Sequence, residues 1–371
     1  MGRIVVLGGC GDVGSHAVRE LAETYEGTVT IADYRVELAK KLAAELGPKA
    51  EAAFVDANDE GTLVQALRGA DAAVGCIGPF YRYAAPVARA AVRAGVNYVD
   101  ICDDYGPVEE LLSLDAAARE AGITLVTGVG WTPGLTNLLA KKGAAELDEV
   151  EEIKVSWAGS AADSTGLAVI MHVFYAVTGQ VPTYRDGAWV HVPAGTETEV
   201  VEFPAPLGKV PVYHCGHPEP LTIPRYIKAR NVSLKGALVP NWNNKLAPIF
   251  AQLGLIGTPE KNLRTARFIH SVEGIFRMGG VPASGARVDV TGLKDGARHT
   301  ISFGAAETMG KITGIPAALC ARWLAAGRLP KGAYAPEGCL DPDPFLTELA
   351  ERGIAYQRLS PSQAAPTAQS A

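Results

Sequence analysis

Along roughly the first third of the chain, short apolar or β-branched runs alternate with longer stretches in which apolar residues recur every three or four positions. The runs Ile4 to Leu7, Thr28 to Ala32, Ala53 to Val55, Ala72 to Cys76, Val96 to Ile101 and Ile123 to Thr127 predict strands. Stretches such as SHAVRELAETY and APVARAAVRAG predict amphipathic helices between them. Strands that alternate with helices of this length form βαβ units, so the expected architecture is α/β, a doubly wound parallel sheet of the Rossmann type.

Past Asn137 the pattern changes. EEIKVSWAGS reads as a strand, TGLAVIMHVFYAVTG as a mostly apolar helix, and DGAWVHVPAGTETEVVEF as short strands with turns. In ARVDVTGLKDGARHTISF, apolar and polar positions alternate on both sides of Lys-Asp-Gly, a hairpin signal. Helix resumes at AAETMGKITGIPAALCARWLAAG, with a kink or restart expected at Pro316. The expected division is a Rossmann domain from residues 1–130 plus 307–358, a mixed α+β domain for substrate and oligomer contacts from 131–306, and a disordered tail from 359–371.

Composition narrows the chemistry. Lys plus Arg number 34 against 40 for Asp plus Glu, a net charge of −6, with no basic block, so nucleic acid is not an expected partner. No run approaches a membrane span, and the N-terminus lacks a secretory signal, which predicts a cytoplasmic protein. Six widely spaced cysteines without a CxxC imply free thiols rather than a disulfide or zinc framework.

Gly9-Cys10-Gly11-Asp12-Val13-Gly14 is a GxGxxG between a strand and a helix, the context in which such a loop cradles a dinucleotide pyrophosphate. Asp33 ends the second strand, where a carboxylate accepts the adenine-ribose hydroxyls and repels a 2′-phosphate. NAD is therefore expected. Arg35, two residues on, can pair with that phosphate and keeps NADP admissible, while Asp56 at the third strand end either approaches the adenine or caps the next helix.

Other chemistries fall away. No tyrosine has a lysine four residues later, which excludes the short-chain dehydrogenase pair. Cys102 is flanked by Asp103 and Asp104, which raise rather than lower a thiol pKa, so it is read as structural. His214 and His217 lack a clear third ligand and are read as a surface loop; no metal is expected.

Four stretches carry a family resemblance: GCIGPFYRYAAPVARAAVRAGVNYVDICDD, TGVGWTPGLTNLLA, HVFYAVTGQVPTYRDG, and TMGKITGIPAALCARWLAAGRLPKGAYAPEGCLDPDPFLTELAERGI. Together they resemble the saccharopine dehydrogenase-like oxidoreductases, a group that includes saccharopine reductases, lysine 6-dehydrogenases and carboxynorspermidine dehydrogenases. The resemblance implies nicotinamide-dependent chemistry on a C–N bond of an amino acid or amine, C-terminal helices that return to the first domain, and a homodimer or higher homo-oligomer. Phe203 to Gly280 matches much less clearly, and substrate choice is expected to lie there. A redox-neutral transferase with tightly bound NAD, similar to homospermidine synthases, and a non-catalytic nucleotide-binding protein are the competing readings.

The loops after the fourth, fifth and sixth strands meet at the carboxyl edge of the sheet, where ligands bind in open α/β folds. Gly78, Pro79 and Gly134 are accordingly expected beside the cofactor, with Tyr81, Asp103 and Asp104 as proton-transfer candidates. Either aspartate can pair with a substrate ammonium, and Asp104 can equally cap the helix starting near Pro107. His172 joins the catalytic candidates through its alignment with a histidine of lysine 6-dehydrogenases. Trp131 is expected to wall the substrate, and Arg225 to bind a substrate carboxylate. The Gly-rich stretch from Gly128 to Gly134 lacks GxGxxG spacing and reads as the passage between domains.

Overall fold

A computed structural model describes residues 2–163 and 166–360. The first half forms β1 (Arg3–Leu7), α1 (Asp12–Thr24), β2 (Thr28–Asp33), α2 (Val36–Leu46), β3 (Ala50–Phe54), α3 (Glu60–Leu67), β4 (Ala72–Gly75), α4 (Phe80–Ala94), β5 (Asn97–Asp100), α5 (Val108–Ser113), α6 (Asp115–Glu120) and β6 (Thr124–Val126). Ile4, Val5, Val6 and Leu7 are all fully buried, although successive side chains point to opposite faces of the sheet. Helices therefore cover both faces, as a parallel sheet requires. Residues 50–54 of the edge strand β3 are only half-buried or exposed, which explains why its start is blurred in the hydropathy pattern.

The second half continues with α7 (Leu135–Ala144), β7 (Glu149–Ser160), α8 (Leu167–Ala176), β8 (Gln180–Arg185), β9 (Ala188–Pro193), β10 (Glu199–Phe203), β11 (Gly208–His214), α9 (Glu219–Tyr226) and β12 (Ala229–Val239). Then come α10 (Leu246–Gln252), α11 (Pro259–Ser271), α12 (Glu273–Phe276), β13 (Ser284–Lys294), β14 (Ala297–Glu307) and α13 (Met309–Ala325). The chain closes with β15 (Gly332–Tyr334), α14 (Pro336–Cys339), α15 (Pro342–Glu351) and β16 (Gln357–Leu359).

In the first sheet the strand order is β15-β6-β5-β4-β1-β2-β3. Every pairing in it is parallel. Because β1 lies between β2 and β4, the chain runs outward in both directions from that point and leaves a crevice at the carboxyl ends of β1 and β4. The second sheet is mixed and is built around β7, which pairs parallel with β12 and antiparallel with β13. The expected hairpin is present: Asp295 (φ 50°) and Gly296 (φ 75°) make the two-residue turn between β13 and β14, both in the left-handed region that such turns need.

Helix α13 returns to the first sheet and packs on α1. A Cβ on Gly314 would stand 2.8 Å from the Val13 carbonyl oxygen, so glycine permits the close approach. The helix continues through Pro316 without a restart. The terminal strand β16 pairs with β14 of the second sheet, so ordered chain extends through Leu359, one residue into the stretch expected to be a tail. Residues 361–371 lie outside the described residues. No helix among those described is long and apolar enough to cross a membrane.

Candidate active site

One cavity of about 1100 Å³ runs along the carboxyl edge of the first sheet. At one end lies the GxGxxG turn. A Cβ on Gly14 would sit 2.2 Å from the Gly8 carbonyl oxygen, so only glycine lets α1 start this close to β1. The N-terminus of α1 has no side-chain cap, which leaves first-turn amides for an anion. Gly11, Asp12, Val13 and Gly14 line the cavity as expected, whereas Gly9 is packed behind the turn against Ile31 and Val18. A dinucleotide fits this cradle.

Asp33 is buried and already engaged. Its Oδ2 accepts the Cys10 N–H at 3.0 Å, and its Oδ1 accepts the Arg35 N–H at 2.9 Å and Nε–H at 3.2 Å. The half-exposed Arg35 side chain lines the cavity beside it. Asp56 also lines the cavity but turns back on Asn58, whose backbone and side-chain N–H groups it accepts, and α3 is capped by Asp59 instead.

The far end holds the titratable groups. Gly78 and Pro79 line the cavity below α8; a Cβ on Gly78 would stand 3.0 Å from that of Ala168. Helix α8 carries His172 over the end of β5, where its Nδ1 lies 2.8 Å from Asp104 Oδ1 and 3.3 Å from Asp103 Oδ1. Asp104 is fully buried, and its Oδ2 accepts the Tyr81 N–H at 2.7 Å in the first turn of α4. It therefore caps a helix, but not the one that the sequence suggested.

Burial disfavours charge on His172, yet the two aspartates beside it outweigh this and hold its pKa above the ordinary histidine range. Burial likewise raises Asp103, with His172 opposing the shift. Asp103, Asp104 and His172 place ligand-type atoms within 4.8 Å of one another, a clustering accounted for by the His172–Asp104 hydrogen bond and the His172–Asp103 ion pair. Cys102 is buried, and burial together with Asp100 and Asp104 pushes its thiol well above its usual pKa, in line with a structural role.

The hydrogen-bond chain continues through residues that sequence reasoning missed. His172 Nε2 lies 3.3 Å from His217 Nε2, and there the bonded chain stops: His217 Nδ1 faces Glu219 Oε2 across 3.9 Å, beyond hydrogen-bond reach. Fully buried Glu219 accepts the hydroxyls of Thr132 at 2.5 Å and Thr136 at 2.8 Å through Oε1, and burial lifts its pKa to about 7. Asn137 extends the network, donating to Thr222 and to buried Glu337. If His172 is doubly protonated, each bond has a defined direction: His172 donates to Asp104 and to His217, and the remaining His217 proton faces Glu219. Burial and His172 push His217 far below the ordinary range, consistent with a neutral ring. The Trp157 ring packs on His217 at 5.5 Å and against the edge of Trp131 at 6.1 Å, and all three side chains line the cavity.

Four expectations need correction. His214 and His217 are buried rather than on a surface loop, and they diverge, His214 binding Glu197 at 3.0 Å. Arg225 does not reach the cavity; it lies over the Trp189 ring and pairs with Glu109 at 3.4 Å. Tyr81 serves the site through its backbone, because its ring stacks on Tyr175 at 5.0 Å. Gly134, at φ 122°, is a hinge of the loop and not a cofactor contact: a Cβ there would lie 2.3 Å from Gly130 N. The amides at the start of α7 are also consumed, that of Gly134 by Asn137, that of Leu135 by Gly130 and that of Thr136 by Trp131. Trp131 lines the cavity, so the wall expected from this loop is present, but an anion site at the helix start is not.

Comparison with known proteins agrees with this geometry. Residues 4–126 match the family model described as the saccharopine dehydrogenase NADP binding domain. The chain is 24% identical to the carboxynorspermidine synthase of Vibrio alginolyticus, over 96% of this chain and 97% of that protein. It is 21% identical to the carboxyaminopropylagmatine dehydrogenase of a Synechocystis species, with the same coverage. In fold it is similar to the L-Glu-forming saccharopine dehydrogenase of Saccharomyces cerevisiae, with a TM-score of 0.70 at 16% identity over 97% of this chain and 100% of that one. The cradle and these matches define an NAD(P)-dependent oxidoreductase. More narrowly, its nucleotide-binding part is of the saccharopine dehydrogenase type, and the resemblance read from the sequence is borne out.

Proposed function

We propose that the protein interconverts an imine and an amine at a C–N bond of an amino acid or amine, with Asp103 and His172 managing the proton on nitrogen. The observation that carries this reading is that Asp103 and His172, the latter backed by buried Asp104, line the same cavity as the dinucleotide turn. Bound there, the nicotinamide supplies or accepts the hydride. The residues of the chain do the rest.

Asp103 faces the cavity and attracts a cationic nitrogen. His172, fixed by Asp104, gives a proton when the amine is formed and takes one when it is oxidised. Trp131 and Trp157 wall the site from water. The carboxyl-bearing amines named in the Vibrio and Synechocystis relatives support the same bond type. NADP is the proposed cofactor: Arg35 neutralises Asp33 and offers a cation at the cavity rim, and the family model is named for NADP. The proposed division follows the two sheets, with β15 and α13 belonging to the nucleotide-binding part and the remainder to a substrate part. Six free thiols support a reducing cytoplasmic setting, and a homo-oligomer follows from the resemblance and is read by sedimentation.

The test is to incubate purified protein with NADP+ or NAD+ and a panel of amines and amino acids, and with reduced cofactor plus oxo-acid and amine pairs. Nicotinamide absorbance changes with at least one C–N substrate are expected. Cofactor binding without any such turnover would overturn the reading.

A further inference from the structure

We infer that the substrate carries a branched apolar arm of about four carbons close to its reacting nitrogen, and that a chamber behind α8 receives this arm. The chamber has a volume of about 110 Å³ and shares Gly166, Val169, Val173 and Leu238 with the main cavity. It opens where the chemistry sits. On α8, His172 lies between Val169 and Val173, so the chamber mouth is within one helical turn of the proton-transfer group.

The walls explain the selectivity. Ala247, Phe250, Ile269 and Phe276 close the chamber from the side of α10, α11 and α12, and Phe174 closes it from α8. Of the two polar lining residues, Asn243 donates to the Phe276 carbonyl while its Oδ1 is buried without a hydrogen-bond partner, and Arg277 has its own partner. An ammonium or carboxylate entering here would lose its hydration against rings and methyl groups, whereas an alkyl arm would gain from burial. Engineered apolar cavities of roughly 150 Å³ take benzene, so this smaller one suits an isobutyl-sized group. Residues 243–277 fall in the stretch that resembles the family least, which is where substrate choice was expected.

The inference rests on the C–N reading, and the experiment separates the two. The full chain with NADP+ is given ethylamine, propylamine, isobutylamine, isoamylamine, hexylamine and putrescine. Catalytic efficiency (kcat/KM) is expected to rise about fourfold per buried methylene up to isoamylamine. It should then fall for hexylamine and stay low for putrescine, whose arm ends in a charge. In Ala247→Phe, which fills the chamber, the rise should vanish while ethylamine turnover is unchanged. In Phe250→Ala the optimum should move to hexylamine. A flat series, or a rise that survives in Ala247→Phe, overturns the chamber.

Calorimetry with isoamyl alcohol, which has the arm and no nitrogen, works even if no amine reacts. Binding to wild type but not to Ala247→Phe would support the chamber while the C–N reading fails. Absence of binding to both proteins would overturn the chamber.

Discussion

Asp104 and His172 lie 68 residues apart in the chain and 2.8 Å apart in space, and the second oxygen of Asp104 is tied to the Tyr81 N–H. The carboxylate is thereby locked between a helix start and an imidazole. A carboxamide has one acceptor atom, so Asp104→Asn cannot satisfy both partners and leaves His172 misoriented. Its kcat should fall about a hundredfold with cofactor affinity unchanged. Steady-state kinetics beside a cofactor titration separates the two effects; equal loss of both would count against the role.

Asp103 acts on the same ring by charge. Removing a neighbouring negative charge destabilises the imidazolium, so Asp103→Asn should lower the pKa of His172. Oxidation needs the unprotonated ring, and its rate should rise with pH along a limb that shifts to lower pH in the variant. A pH profile of kcat/KM with an amine substrate checks the direction.

Glu219 offers a prediction on stability. Its pKa is raised from 4.5 to about 7 in the folded state, so the fold binds a proton that the unfolded chain releases earlier. The contribution is fully present below about pH 4.5 and is lost as pH rises through about 7. Wild type should therefore lose stability relative to Glu219→Gln across that window, by on the order of a few kcal/mol for this fully buried group. Thermal denaturation of both proteins over the pH range gives the difference directly, and a constant difference would remove Glu219 as the titrating group.

For the dinucleotide, Gly14→Ala would bring a Cβ onto the Gly8 carbonyl and should weaken cofactor binding at least tenfold, by displacing the start of α1. Arg35→Ala should cost about tenfold in NADP affinity and much less in NAD affinity. Fluorescence titration of the reduced cofactors reads both variants; equal losses for the two cofactors in Arg35→Ala would remove the phosphate role.

Six of the seven strands of the first sheet, all but β15, could be read in the sequence because each is a local hydropathy event: β1 is apolar throughout since both faces are covered. Asp33, Asp103 and His172 were found by position relative to those strands or by resemblance. His217 and Glu219 were not, because their setting depends on α9 packing against the loop before α7, a contact between residues more than 80 positions apart. The available signal was indirect: Thr132, Thr136 and Asn137 put polar groups at the start of an apolar helix, and buried polar groups require partners. Arg225 failed for the converse reason, since nothing local distinguishes an arginine that faces a ligand from one lying over Trp189.

The position of β15 also sets an order of events during synthesis. It pairs with β6, although 206 residues separate Thr124 from the Pro330 carbonyl that its hydroxyl grips. At ribosomal speeds, roughly ten to forty seconds pass between emergence of the two strands. Until then the β6 edge has exposed hydrogen-bonding groups, so the sheet whose first strands are translated earliest is closed only after the β13–β14 hairpin of the second sheet has been made.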